Sequence, residues 1–353
     1  MLDTVGTANP PRIGALARAT PPYVFKQADI KAAVSERLID LIPNIGRLLP
    51  VYDNVGVDTR YSCVPMDWYY EPHDFGERND IYAENALKLL EQVTTELLAK
   101  ADLEPSAVDT LITISSTGIT TPSLDARLIQ NLGMRDDVQR IPVFGLGCAG
   151  GVTGLGQAAH MASSKPGSVV LLLVVELCAL TFQLTDLSKT NIVALALFGD
   201  GAAGALLGSE LDGPAVLGWG EHLWPNTLDI MGWDIGKDGF KVLLRRDLPD
   251  FVRKELPAPL NAYLDRYGLS LSDFDGFVTH PGGPKILDAL EDLLDLSRGD
   301  LHHARSVLRD YGNMSSPTVL FILMEMLAAN EGRRHLLSAM GPGFTASFAH
   351  IEA

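Results

Sequence analysis

The run 168–180, almost wholly apolar, is the feature that most constrains the fold. It is too short to cross a bilayer, and it carries Glu176. Its apolar residues are continuous rather than alternating, which is the pattern of a strand buried on both faces. Such a strand needs helices over both faces. Residues 81–100 supply one, with Ala86, Leu90, Val93 and Leu97 on a single helical face. The segments 28–40, 124–132, 151–164, 250–267, 284 onward, 301–311 and 317–329 read as further helices. Strands are expected at 110–116, as a pair around 198–203, and at 274–279, 334–340 and 344–350. Residues 1–26 are Pro-rich and read as irregular, and 62–80 reads as a surface loop. Strands alternating with helices imply an α/β protein. A second half, 213–353, is expected to follow the first, 1–212.

The 353 residues are enough for one large domain or two medium ones. A net charge of −16 argues against nucleic acid or an anionic membrane as the main partner. It leaves room for CoA thioesters, since a local basic patch can hold phosphates. Three scattered cysteines, Cys63, Cys148 and Cys178, make neither a disulfide framework nor a zinc site. A reducing cytoplasm is the expected compartment. The first residues lack the basic and apolar regions of a signal peptide.

Three glycine-rich segments carry the candidate chemistry. Cys148 lies in Phe144-Gly145-Leu146-Gly147-Cys148-Ala149-Gly150-Gly151, ahead of the helix 151–164. The positive end of a helix dipole favours a thiolate, the nucleophilic form. Gly is absent two residues before the cysteine, so this is not a nucleophile elbow. His280 opens His280-Pro281-Gly282-Gly283-Pro284 at a strand end, and Asn313 lies in Tyr311-Gly312-Asn313-Met314-Ser315-Ser316. Each has a plainer alternative: core packing for Cys148, a structural role for His280, a helix cap for Asn313. A thiol, an imidazole and a carboxamide among small residues suit covalent acyl transfer.

These segments, with Leu197-Phe198-Gly199-Asp200-Gly201-Ala202-Ala203 and Gly341-Pro342-Gly343, give the chain its likeness to a known family. It resembles the type III polyketide synthases, the chalcone-synthase-like branch of the thiolase superfamily, over nearly its whole length. The resemblance implies a five-layered αβαβα fold of two similar halves, and a homodimer. It implies Cys148 as acyl-accepting nucleophile, His280 and Asn313 as the polar pair, and Phe198 as gatekeeper. Acyl-CoA and malonyl-CoA would be the substrates, with no metal or redox cofactor. Thr117, Thr121, Cys178, Phe182 and Ser315 would line the substrate pocket, and Arg47, Arg60 and Lys285 would contact CoA. The stretch 223–235 is similar to the bacterial alkylpyrone and alkylresorcinol branch, which implies a fatty-acyl starter. The alternatives are a synthase that uses malonyl-CoA alone and a ketoacyl synthase that initiates fatty-acid synthesis. Phe182 and Thr121 are bulky for the widest acyl tunnels.

Overall fold

The apolar run forms a strand over Val170–Leu177, buried at all eight residues. The structure, a computed structural model, describes residues 9–38, 45–183 and 186–353. The first half holds β1 (Arg12–Ala19), β2 (Tyr23–Lys26), α1 (Gln27–Leu38), α2 (Pro50–Asn54), β3 (Thr59–Ser62), α3 (Phe75–Lys100), β4 (Thr110–Ser115), α4 (Leu124–Leu132), β5 (Gln139–Phe144), α5 (Gly150–Ser164), β6 (the apolar strand), α6 (Lys189–Leu197) and β7 (Asp200–Gly208). The second holds β8 (Ala215–Leu223), β9 (Met231–Gly236), β10 (Gly239–Leu244), α7 (Leu248–Glu255), α8 (Pro257–Arg266), β11 (Gly276–Thr279), α9 (Pro284–Leu293), α10 (His302–Tyr311), α11 (Thr318–Ala329), β12 (Arg334–Gly341) and β13 (Thr345–Glu352).

Nine strands pair in the order β11-β12-β13-β8-β1-β7-β6-β4-β5. The link between β8 and β1 is a single residue pair, Arg12 with Ala215. The sheet therefore divides there into a five-stranded and a four-stranded part. α5 and α11 fill the space between the parts. α5 packs on β4, β6 and β7 of one and on β8, β12 and β13 of the other, and α11 touches β1, β7, β11 and β12. A helix covered on every side has no polar face to keep, which is why Thr318–Ala329 is apolar nearly throughout. α3 covers the outer face of β1, β6 and β7, while α8 and α10 lie on β13 and β11. The result is the expected α/β, thiolase-like arrangement of five layers, αβαβα.

The structure departs from the sequence reading in several places. Residues 1–26 are not irregular where described: β1 pairs with β7 along most of its length. Its inward residues are Ile13, Ala15, Ala17 and Ala19, and small side chains mask the alternation. The proposed helix 250–267 divides into α7 and α8 at Pro257, whose ring cannot continue a helix interior. Helix α6 precedes Phe198, and one strand rather than a pair begins at Asp200. β5, β8 and the hairpin β9–β10 had no expectation. The end of helix 28–40 lies outside the described residues. Among those residues, no helix is long and apolar enough to cross a membrane.

Candidate active site

Cys148 sits in a single 3-10 turn, Gly147–Ala149, that runs straight into α5. Gly147 has φ +48°, and a β-carbon there would stand 2.6 Å from Cδ of Pro342. Glycine at 147 thus brings the thiol loop against the turn after β12. Gly151 has a similar use, since a β-carbon there would lie 2.4 Å from the Ser316 carbonyl oxygen. The starts of the two central helices can therefore approach closely, and Asn313 comes with them.

His280 follows β11, its N–H donating to the Ser338 carbonyl at 2.9 Å. Neither of its ring nitrogens has a hydrogen-bond partner among the described residues. Asn313 lies between α10 and α11. Its Oδ1 accepts from the Ser315 N–H at 2.8 Å, which leaves the Nδ2 amide protons as donors for another group. It does not cap α11, whose first turn begins at Pro317 with no side-chain cap.

Cys148, His280, Asn313, Phe198, Cys178 and Ser315 line one cavity, whose other walls include Met231, Trp233, Leu244 and Pro342. A second apolar cavity adjoins it, walled by Phe25, Ile30, Val34, Tyr69, Phe182 and Leu195. Cys178, Phe198 and Val242 border both cavities and form the partition between them.

Burial pushes the Cys148 thiol from 9.0 up to about 12, against a lowering by the Ser315 hydroxyl. Three units correspond to about 4 kcal/mol. A helix terminus supplies at most about 2 kcal/mol. Burial thus opposes the thiolate that the helix dipole favours. Burial also pushes His280 down to about 3, which favours the neutral imidazole.

A hub lies outside the three glycine-rich segments. Glu176 is fully buried in β6, and four close donors reach its carboxylate, with the Ser115 hydroxyl farther off at 3.5 Å. The four are the Ser116 N–H at 2.9 Å, the Ser116 hydroxyl at 2.7 Å, the Thr117 hydroxyl at 2.9 Å and the Ser316 hydroxyl at 2.9 Å. Ser116 Oγ in turn accepts from the Gly147 N–H at 3.1 Å. One carboxylate thus joins the end of β4, the thiol loop and the segment after Asn313. Burial raises its pKa, and the donors from Ser116, Ser316 and Thr117 lower it. A lone charge inside the apolar run 168–180 was the signal.

Other expected site residues lie elsewhere. The Thr117 hydroxyl accepts from the Leu177 N–H at 2.9 Å and donates to Glu176, and Thr117 borders a small cleft with Phe75, Arg78 and Phe240 rather than the Cys148 cavity. Thr121 is exposed on the outer side of α3, in a groove with Asn79 and Arg127. Phe182 walls the second cavity only. Arg60 is 2 % exposed, and its guanidinium donates to Gln27 and to the Leu195 and Phe198 carbonyls. It braces the Phe198 segment from inside and does not present its charge at the surface, contrary to its expected place at CoA. Arg47 and Lys285 are exposed.

Comparison with known proteins places this geometry. The N-terminal domain of chalcone and stilbene synthases, as a family model, matches residues 68–211, and the C-terminal domain matches 220–349. The chain belongs to the chalcone and stilbene synthase family. A putative chalcone synthase of Bacillus subtilis is 39% identical over 86% of this chain and 87% of its own. A 1,3,6,8-tetrahydroxynaphthalene synthase of Streptomyces peucetius is 38% identical over 96% of this chain and 92% of its own. The crystal structure of the Streptomyces coelicolor enzyme of that name, a bacterial type III polyketide synthase, superimposes with a TM-score of 0.92 at 30% identity, covering 97% of this chain and 99% of its own. This member of the family is a type III polyketide synthase, an acyl-transferring enzyme.

Proposed function

We propose that this synthase builds its product from a fatty acyl-CoA starter and malonyl-CoA, with Cys148 as the acyl carrier. On thioester binding, the Cys148 proton passes to His280, and the thiolate attacks the thioester carbonyl. The C–S bond to CoA breaks, and His280 returns the proton to the departing CoA sulfur. Malonyl-CoA then takes the vacated place and loses CO2. The electrons of the broken C–C bond form an enolate, whose oxyanion accepts hydrogen bonds from His280 and Asn313 Nδ2. The enolate carbon attacks the acyl-Cys148 carbonyl, expels the Cys148 thiolate and lengthens the chain by two carbons. Repetition and ring closure give an alkylpyrone or alkylresorcinol. Phe198, on the partition, shelters the decarboxylation from water. CoA phosphates would meet Arg47 and Lys285 at the surface. No metal or redox cofactor takes part, and the enzyme works as a homodimer.

The second apolar cavity behind Cys178 is the observation that carries the fatty-acyl starter. It offers an apolar chain room beyond the Cys148 cavity. A second reading, condensation of malonyl-CoA alone, is favoured by the similarity to tetrahydroxynaphthalene synthases. One experiment separates the two: acyl-CoA starters of increasing length with malonyl-CoA, products read by mass spectrometry. Each buried methylene is worth about 0.8 kcal/mol, so utilisation should rise with length until the space is full. An enzyme that ignores fatty acyl-CoA and forms an aromatic product from malonyl-CoA would establish the second reading.

A further inference from the structure

α10 and α11 form a helical hairpin with Asn313 at its turn. The other end of the hairpin brings together His302 and His303, which open α10, and Glu331, just past α11. One donor atom from each of the three lies within 4.8 Å of the others. Glu331 Oε2 is 3.4 Å from His302 Nε2 and 3.1 Å from His303 Nε2. Two ligands bonded at about 2.0–2.1 Å to a tetrahedral zinc ion stand about 3.3–3.4 Å apart. The His302 separation matches that edge; the His303 separation is shorter, at hydrogen-bond distance, and would open slightly around an ion.

The outer side of each imidazole gives an independent observation. His302 Nδ1 faces the Asp300 carbonyl at 3.1 Å. His303 Nδ1 faces the Glu325 carboxylate at 4.0 Å. The Asp300 carbonyl can hold a proton on His302 Nδ1, which leaves the lone pair on Nε2, the atom turned to Glu331, as in metal-binding histidines; at 4.0 Å the Glu325 carboxylate is too far to hydrogen-bond His303 Nδ1 and acts on it only by its charge. The His303 side chain is 13% exposed, that of His302 58% and that of Glu331 49%. The cluster is thus backed on one side and open to solvent on the other, with a fourth position for water. The dipole of α10 opposes a cation here, and the carboxylates of Glu331 and Glu325 offset it.

We propose that His302, His303 and Glu331 bind one divalent transition-metal ion at the outer end of the α10–α11 hairpin. Two imidazoles and a carboxylate suit Zn²⁺; Mg²⁺ and Ca²⁺ require oxygen ligands. The ion would tie the start of α10 to the turn after α11 and so brace the hairpin that carries Asn313. This inference is independent of the starter and of the product.

The test is calorimetric titration of ZnCl2 into the full chain, free of any histidine tag. A Cys148→Ala background keeps the cavity thiol from taking the ion. One Zn²⁺ per chain is expected, with affinity lowered more than about tenfold in His303→Ala and in Glu331→Gln. Circular dichroism checks that both variants are folded, and Co²⁺ in place of Zn²⁺ should show a visible absorption that both variants lose. Absence of Zn²⁺ binding, or equal affinity in wild type and both folded variants, overturns the proposal.

Discussion

Phe198 and Asn313 are joined by a parallel backbone bridge: the Asn313 N–H donates to the Leu197 carbonyl at 2.9 Å, and the Gly199 N–H donates to the Asn313 carbonyl at 3.0 Å. The backbone therefore fixes Phe198 beside Asn313 at the wall of the Cys148 cavity. The side chain of Phe198 can be changed without moving Asn313. Phe198→Ala should lower the urea midpoint only modestly, because the half-buried ring lines two cavities rather than the closed core. Loss of an apolar wall worth about 1.5–3 kcal/mol should raise the KM for malonyl-CoA by about 10- to 100-fold. An unchanged KM would return Phe198 to ordinary packing.

Glu176 should be costly to change even conservatively. In Glu176→Gln the amide nitrogen cannot accept, so some of the donors from Ser116, Thr117 and Ser316 lose their partner. Each buried donor left unsatisfied costs about 1–3 kcal/mol. Denaturant unfolding should show at least that loss, and kcat should fall with it because the thiol loop hangs from Ser116. A Gln variant as stable and as active as wild type would remove the hub from the account.

How much of this was legible in the sequence depended on what each residue needs. Cys148, His280 and Asn313 stood out because each lies among glycines that permit close approach, and the structure brings the three to one cavity. Helix α3 is legible in the apolar face of Ala86, Leu90, Val93 and Leu97, and α4, α9, α10 and α11 fall where helices were expected. β1 escaped notice because alanines hide an inward face as well as they fill it. Arg60 looked like a surface cation because burial of a charge is decided by its partners, Gln27 and two carbonyls, which lie far away in sequence. Thr117 looked like a wall residue, but its hydroxyl is committed to Glu176, a contact between two strand ends. Glu176 itself was visible as a charge in an apolar strand, but its donors were not.

His280 predicts a pH dependence of stability. Its folded pKa is depressed to about 3, below the ordinary 6.5. Between those values the unfolded chain binds a proton that the folded chain refuses. Folding stability from this group is therefore full above pH 6.5 and falls as the medium is acidified. Relative to His280→Gln, the wild type should lose roughly 2 kcal/mol between pH 7 and pH 5. Urea unfolding of both proteins at the two pH values measures the difference. A constant difference would mean that His280 is not held neutral.

The same substitution tests the proton transfer. Without an imidazole to accept its proton, the buried Cys148 thiol, pushed up to about 12, should react with iodoacetamide ever faster as pH rises from 7 to 10. The wild type should react faster than His280→Gln at pH 7. Equal rates at pH 7 would show that His280 does not serve the thiol.

Cys178 borders both cavities, so its size should set how far a starter extends. Cys178→Phe should lose long acyl-CoA starters and keep short ones. An unchanged chain-length profile would return Cys178 to simple packing.

The most direct test of the central claim is the intact mass of the protein after incubation with an acyl-CoA. The wild type should gain one acyl group, mapped by peptide digestion to Cys148, and should release polyketide on addition of malonyl-CoA. Cys148→Ala should gain no mass and form no product. An acyl adduct on another residue, or product from the Cys148→Ala enzyme, would contradict the account.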